Sequence, residues 1–442
     1  MQFKRTQIEA LLKWKKSKTR KPLILQGARQ VGKTSLVKTF GKLYFKDIAY
    51  FNFEEEILLK ELFESTKKVD ILIKELSVIH GKKIEEDTTL IFFDEIQECN
   101  SALNSLKYFH ESKKKYAIIG AGSLLGISLG KQISFPVGQV EFLDIYPLSF
   151  FEILDSTNNK LYKYAKKINT IEPLTELMHS NFLNEFKNYF ISGGMPEVAK
   201  KFTQTLSINE ADKILKSILK SYNHDFTKHT NKIDAIKIGY IWNSIPSQLA
   251  KENKKFIFQT LKSGARARDY EYSLEWLIKS GLCYKVNLCK KPFLPLKIYD
   301  DLSAFKMYVH DIGVLRVLSG LEANLYLQKH DFFTEFKGDL IENFVLQSLK
   351  IQFSNDLRYW TSEGKAEIDF ILQYQQEIIP IEVKSGKNTQ SKSMIVYNKK
   401  YRPKLRICYS TKNLSFESGL LNIPLYLIDR SKDFIDLILY QL

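Results

Sequence analysis

Over the first third of the chain, short wholly apolar runs alternate with segments of helical period. Leu23-Ile-Leu25, Leu90-Ile-Phe-Phe93 and Ala117-Ile-Ile119 are continuous runs, and the first is followed at helical spacing by Leu36, Val37 and Phe40. Apolar runs without alternation predict strands covered on both faces, hence a parallel sheet under helices. Ile48 to Phe53 and Gly138 to Ile145 read as two more strands, Ile57 to Leu76 as a helix, and residues 1–20 as a helix with Ile8, Leu11 and Leu12 on one face. Pro147-Leu-Ser149 before Phe150-Phe-Glu152 is a stop followed by a cap, which closes the sheet near residue 150. Residues 151–205 and 208–222 carry helical patterns, broken by the turn Gly193-Gly-Met-Pro196. From 234 to 290 the order is three helices and a small hairpin. The period changes to that of strands at Ala366–Leu372 and Glu377–Lys384.

The loop between the first strand and its helix reads Gly27-Ala28-Arg29-Gln30-Val31-Gly32-Lys33-Thr34-Ser35. Strand, glycine loop and helix are the context that gives this spacing chemical meaning. A polyphosphate needs several backbone N–H groups aimed at one place, which glycine's freedom allows, and the helix adds the positive end of its dipole. Lys33 then reaches the outer phosphates and the Thr34 hydroxyl holds Mg²⁺. The run Leu90–Phe93 ends in Asp94-Glu95 at the carboxyl edge of the sheet, where such sheets bind ligands. Asp94 is expected to support the metal and Glu95 to activate water. Ser123, after the next strand, either reaches the γ-phosphate or caps a helix. The cofactors implied are ATP and Mg²⁺.

With 442 residues the chain exceeds the ~250–300 at which one core stops growing, so several domains are expected. Its formal charge of +16 favours a polyanionic partner such as DNA or RNA, although lysine is spread along the whole chain. No apolar run reaches the ~18 residues of a membrane span, and Cys99, Cys283, Cys289 and Cys408 lack metal-ligand spacing. They read as free thiols of a reducing compartment, so a cytoplasmic protein with no membrane partner is expected.

Gly27–Thr34, Asp94-Glu-Ile-Gln97, Gly122-Ser-Leu-Leu-Gly126, Ser134-Phe-Pro-Val-Gly138 and Tyr146-Pro-Leu-Ser-Phe150 resemble the prokaryotic AAA-type (AAA_14) ATPases with a C-terminal DUF4143 domain. The resemblance covers nearly the whole chain. It implies an α/β architecture: a P-loop NTPase parallel sheet (1–150), a helical lid (151–205), a winged-helix-like module (206–295) and a restriction-endonuclease-like α/β domain (296–442). Gln139 stands where the family usually carries a base. The winged helix would read nucleic acid through a helix near 268–280, with Arg266, Arg268 and Lys279 on phosphates and the acidic Asp269, Glu271 and Glu275 opposing deep insertion. A homo-oligomer is left open, as is the source of an arginine finger, with Arg29, Arg266 and Arg268 as candidates.

The last third carries a second constellation. Asp369 and Glu382 lie 13 positions apart, a length that fits a hairpin bringing both carboxylates together, and Glu382 and Lys384 share one face of a strand. Glu342 adds a carboxylate from a helix. Two carboxylates on adjoining strands, a third on a helix and one lysine suit Mg²⁺- or Mn²⁺-dependent phosphodiester cleavage. The set resembles the PD-(D/E)xK nuclease superfamily, and Lys399, Lys400, Arg402, Lys404 and Arg406 follow it. Two readings stay open: an ATP-gated nuclease, and an ATP-driven switch whose nuclease-like domain is silent and recognises a partner.

Overall fold

The computed structural model describes residues 3–112, 114–123, 138–321, 336–353, 355–362, 366–385 and 391–440. Leu124–Gly126 and Ser134–Val137, parts of two of the quoted motifs, lie outside them. The chain divides into two compact units, one made of Arg5–Tyr146 and Glu275–Leu282, the other chiefly of Pro147–Leu274 and Cys283–Leu442.

In the first unit β1 (Leu23–Gln26), β2 (Asp47–Asn52), β3 (Thr89–Asp94), β4 (Ala117–Ala121) and β5 (Glu141–Asp144) form a sheet in the order β2-β3-β4-β1-β5. Every neighbouring pair is parallel. Strands β3 and β4 are buried at every position, which is why their sequence shows no alternation. The aromatic rings of Phe51, Phe53, Phe63, Phe93 and Phe109 pack edge to face or tilted on one side of the sheet. The predicted helix 57–76 is two helices, Ile57–Ser65 and Val69–His80. Between them Thr66 is extended, and its hydroxyl accepts from the amide of Lys68 at 3.2 Å. That local bond offers the backbone an alternative to helix which the apolar pattern does not register.

The second unit is built on a mixed eight-stranded sheet in the order β12-β13-β11-β10-β9-β8-β6-β7. Its strands are β6 (Cys283–Cys289), β7 (Asp300–Val309), β8 (Arg358–Thr361), β9 (Glu367–Tyr374), β10 (Glu377–Val383), β11 (Arg406–Ser410), β12 (Ser415–Glu417) and β13 (Leu420–Pro424). β6, expected in the small hairpin of a winged helix over 206–295, instead forms a hairpin with β7 beyond that range and pairs in parallel with β8. The hairpin therefore extends the sheet of the C-terminal third. Ala304 to Val309 are all buried, and such a run needs cover that a free wing lacks. The helix Phe336–Gln352 is likewise buried from Asp339 to Leu349.

Two aspartates, Asp311 buried and Asp429 partly so, tie helices into this unit. Asp311 caps the helix Ile312–Leu318 by accepting from Val314 N at 3.0 Å, and it accepts from Gly194 N at 2.7 Å. A Cβ on Gly194 would lie 2.2 Å from the Leu148 carbonyl oxygen, so only glycine fits this turn. Asp429 accepts from Phe151 N at 2.7 Å. Burial pushes both carboxyls up to about 6 against their hydrogen bonds. A carboxyl raised in the folded state stabilises it fully below the unfolded value near 4, and that stability is lost as pH rises through about 6. Each group contributes on the order of 2–3 kcal/mol to this slope. In Asp429→Asn, the urea midpoint should fall less between pH 5 and 7 than in the native protein; an unchanged slope would place the titration elsewhere.

Candidate nucleotide site and a second charge cluster

The carboxyl edge of the parallel sheet brings the predicted residues into one row. Asn52 is paired with Asp94, Asp94 with Ala121, and Ala121 with Leu25, so the chain leaves β1 into the loop beside the ends of β4 and β3. Gly27 has φ +140°, and a Cβ there would lie 2.1 Å from the Ile145 carbonyl oxygen. Gly32, at φ +93°, precedes the helix Lys33–Tyr44 and gives it no side-chain cap, which leaves its first N–H groups directed at the loop. Arg5 braces the loop from outside, donating to the carbonyls of Val31 at 3.1 Å and Tyr146 at 2.6 Å.

Lys33 is buried, and its Nζ donates to the carbonyls of Gly27 and Ala28, both at 2.9 Å. Burial lowers its pKa to about 8, opposed by Glu95 and Asp94 and assisted by Arg29. Thr34 Oγ1 donates to Asp94 Oδ2 at 2.9 Å, and the Tyr50 hydroxyl donates to the same oxygen at 3.2 Å. Burial raises the Asp94 carboxyl above its ordinary range, countered by these hydrogen bonds. A hydroxyl and a carboxylate at this separation form the hard-oxygen pair that suits Mg²⁺, held directly or through water. Glu95, in the left-handed region at φ +49°, accepts from Gln97 Nε2 at 2.6 Å. Ser123 is half-buried two residues beyond Ala121, and Ser35 is exposed. Tyr50 and Arg5 were not among the predicted residues. Tyr50 lies in an ordinary strand pattern, and Arg5 reaches the loop only through the fold.

In the other unit the β9–β10 hairpin has the expected register. Ile381 pairs with Phe370, so the next step sets Glu382 opposite Asp369, and Val383 N donates to Asp369 Oδ2 at 2.8 Å. Lys384 Nζ lies 2.6 Å from Glu382 Oε1. Glu382 Oε2 is buried without a hydrogen-bond partner among the described residues, a position suited to a cation. Glu342, however, is already neutralised from within. Lys254 Nζ bonds to it and lies 3.0 Å from Asp339; Lys306, fully buried, lies 3.5 Å from Glu342 and 2.5 Å from Glu367; and the Tyr308 hydroxyl donates to it. Burial works against the Lys254 ammonium, but Glu342, Asp369 and Asp339 outweigh it and raise its pKa. For Glu342, burial is outweighed by Lys254 and Lys306, which hold it below the usual carboxylate range. Asp369 goes the other way, raised by burial and by Glu382 and Glu342. Among the described residues, no group of three or more His, Cys, Asp or Glu is arranged to hold a metal ion. Lys254 and Lys306 lay beyond sequence reasoning because they come from a loop and a strand far from the D-x12-E-x-K spacing.

Residues 19–154 match the family model described as AAA domain, AAA_14. Residues 337–428 match DUF4143 and residues 183–325 match DUF8612, both domains of unknown function. The chain thus carries an AAA domain followed by a C-terminal DUF4143 domain. No curated protein matches it. Among solved structures it is similar to the Walker-type ATPase paby2304 of Pyrococcus abyssi, at 16% identity and TM-score 0.46, over 72% of this chain and 96% of that one. The Aeropyrum pernix ORC2 protein in its ADP form is 15% identical with TM-score 0.35, over 74% and 95%. The Thermotoga maritima RuvB Holliday junction branch migration motor is 12% identical with TM-score 0.28, over 66% and 90%. No helix among the described residues is long and apolar enough to cross a membrane.

A lysine pulled down to about 8 binds a polyanion only in its ammonium form. A polyphosphate held by Lys33 should therefore bind with proton uptake that is greater at pH 8 than at pH 7, and with affinity that falls as pH rises past about 8. Calorimetry in buffers of different ionisation enthalpy reads this uptake directly; none at pH 8 would detach Lys33 from the bound phosphates.

Proposed function

We propose that the AAA unit binds MgATP at residues 27–35 and hydrolyses it slowly. The pairing of Thr34 with Asp94 across the helix start and strand end supports this reading most. The loop amides and the open helix start receive the phosphates, and Lys33 turns from its own loop carbonyls to the outer phosphates. Thr34 and Asp94 hold Mg²⁺, which when bound neutralises phosphate charge. Glu95 orients water and accepts its proton, its carboxylate fixed by Gln97, while Ser123 stands by the γ-phosphate. Slow turnover is inferred from the resemblance, in which a basic residue stands in place of Gln139; in this chain Gln139 precedes β5, whose Glu141 pairs with Leu23, and so lies at the sheet edge opposite the loop. A finger from Arg29, Arg266 or Arg268, in a homo-oligomer, would speed it. The helices of 151–205 would serve as the lid. Four free, buried cysteines support a reducing, cytoplasmic setting. Lys33→Ala should weaken ATP binding at least tenfold, and Glu95→Gln should keep binding while lowering turnover roughly 100-fold or more. Unchanged affinity in the first variant would remove the site assignment.

For the C-terminal domain we infer recognition of a nucleic acid or other partner without phosphodiester cleavage. Lys254 and Lys306 support this reading over an Mg²⁺- or Mn²⁺-dependent nuclease, because they already supply Glu342 with the positive charge that a divalent ion would bring. Plasmid incubated with Mn²⁺ should stay intact with the native protein and with Glu382→Ala alike. Nicking by the native protein alone would restore the nuclease reading. Lys254→Met should destabilise the unit by about 3–5 kcal/mol, since it strands buried carboxylates.

A further inference from the structure

We propose that the turn Ser280–Gly281 is a positioning element of the nucleotide site, setting the loop carbonyls that hold Lys33. The inference rests on the reading of residues 27–35 as the ATP site. The segment Glu275–Leu282 lies far along the chain but belongs to the same compact unit as the phosphate loop. The helix Ala267–Lys279 ends there with Gly281 N donating to Ile278 O at 3.0 Å and Leu282 N to Leu277 O at 3.2 Å. Gly281 is left-handed at φ +74°, the geometry of a glycine helix stop. Leu277, Ser280 and Leu282 are buried, so the turn is held firmly in the unit.

The contact itself is backbone on backbone. A Cβ built on Gly281 would lie 2.9 Å from Ala28 N, 3.3 Å from Gly27 C and 3.4 Å from Gly27 Cα. Gly27 is also hemmed by the Ile145 carbonyl, so the loop has little room to step aside. A methyl at 281 would therefore displace the peptide units whose carbonyls accept from Lys33 and whose amides would donate to phosphate. Gly281 would not touch the nucleotide; it acts through residues 27 and 28.

Gly81 supplies the control. It lies in the same unit, ends a helix at φ +75° and has nothing within 4 Å of a built Cβ. Gly81→Ala and Gly281→Ala carry the same left-handed strain, and only the second meets the loop. Gly281→Ala should lose more thermal stability than Gly81→Ala, because its methyl adds a backbone clash at 2.9 Å to the shared strain, and KM for ATP should rise on the order of tenfold in Gly281→Ala alone. Equal KM and kcat in the two variants would overturn the proposal. Hydrogen exchange on the native protein gives a second measure, needed if Gly281→Ala does not fold. ATP should slow exchange at residues 280–282 as well as at 27–34, and leave Gly81 unchanged. Slowing at 27–34 without any at 280–282 overturns this inference alone; slowing at neither overturns the ATP site with it.

Discussion

The ammonium of Lys33 closes the phosphate loop on itself, donating at 2.9 Å to the carbonyls of Gly27 and Ala28. A buried charge is tolerated only where hydrogen bonds and opposite charges surround it, and here they are the loop's own carbonyls with Asp94 and Glu95 nearby. Around this group the unit is built from constraints that leave the loop one path. Gly27 can only be glycine against Ile145, Arg5 pins Val31 and Tyr146, and the parallel register carries Asp94 to Thr34. The same burial that lowers the Lys33 pKa stores an electrostatic demand which a polyphosphate would satisfy.

The second charge cluster solves a related problem in the opposite sense. Glu342, Asp369 and Glu382 lie near enough to act on one another's charge but are not arranged to hold a metal ion, and lysines from outside the motif sit on Glu342 and its neighbours Asp339 and Glu367. Buried ion networks of this kind contribute little net stability but are costly to break. The unequal treatment of the carboxylates, Glu342 pulled down and Asp369 pushed up, follows from which of them the lysines reach. Of the residues that resemble a nuclease motif in sequence, Glu342 is thus neutralised by lysines, whereas Asp369 is pushed up by its carboxylate neighbours and Glu382 keeps an unpartnered buried oxygen among the described residues.

The AAA and DUF4143 matches bear out the coarse reading made from the motifs. Legibility was greatest where the signal is a local pattern of residue types. Residues 27–35 are contiguous and Asp94 follows an unbroken apolar run, so spacing alone located them. The hairpin geometry of Asp369 and Glu382 was legible for the same reason, since strand period and length fix it. Thr66 was missed because its hydroxyl acts on a neighbouring amide without altering the apolar pattern. Tyr50, Arg5, Lys254 and Lys306 were missed because each acts at long sequence separation, where a lone side chain has no periodic signature.

By itself the sequence determined the parallel sheet, the phosphate loop, its acidic partner strand and the carboxylate hairpin, because each depends on residue type at short spacing. The tertiary structure decided which strands share a sheet, joining β6 and β7 to the C-terminal strands, and which lysines answer Glu342. It also decided that Gly281 meets Ala28. These outcomes turn on long-range packing, where burial of whole surfaces outweighs any local preference.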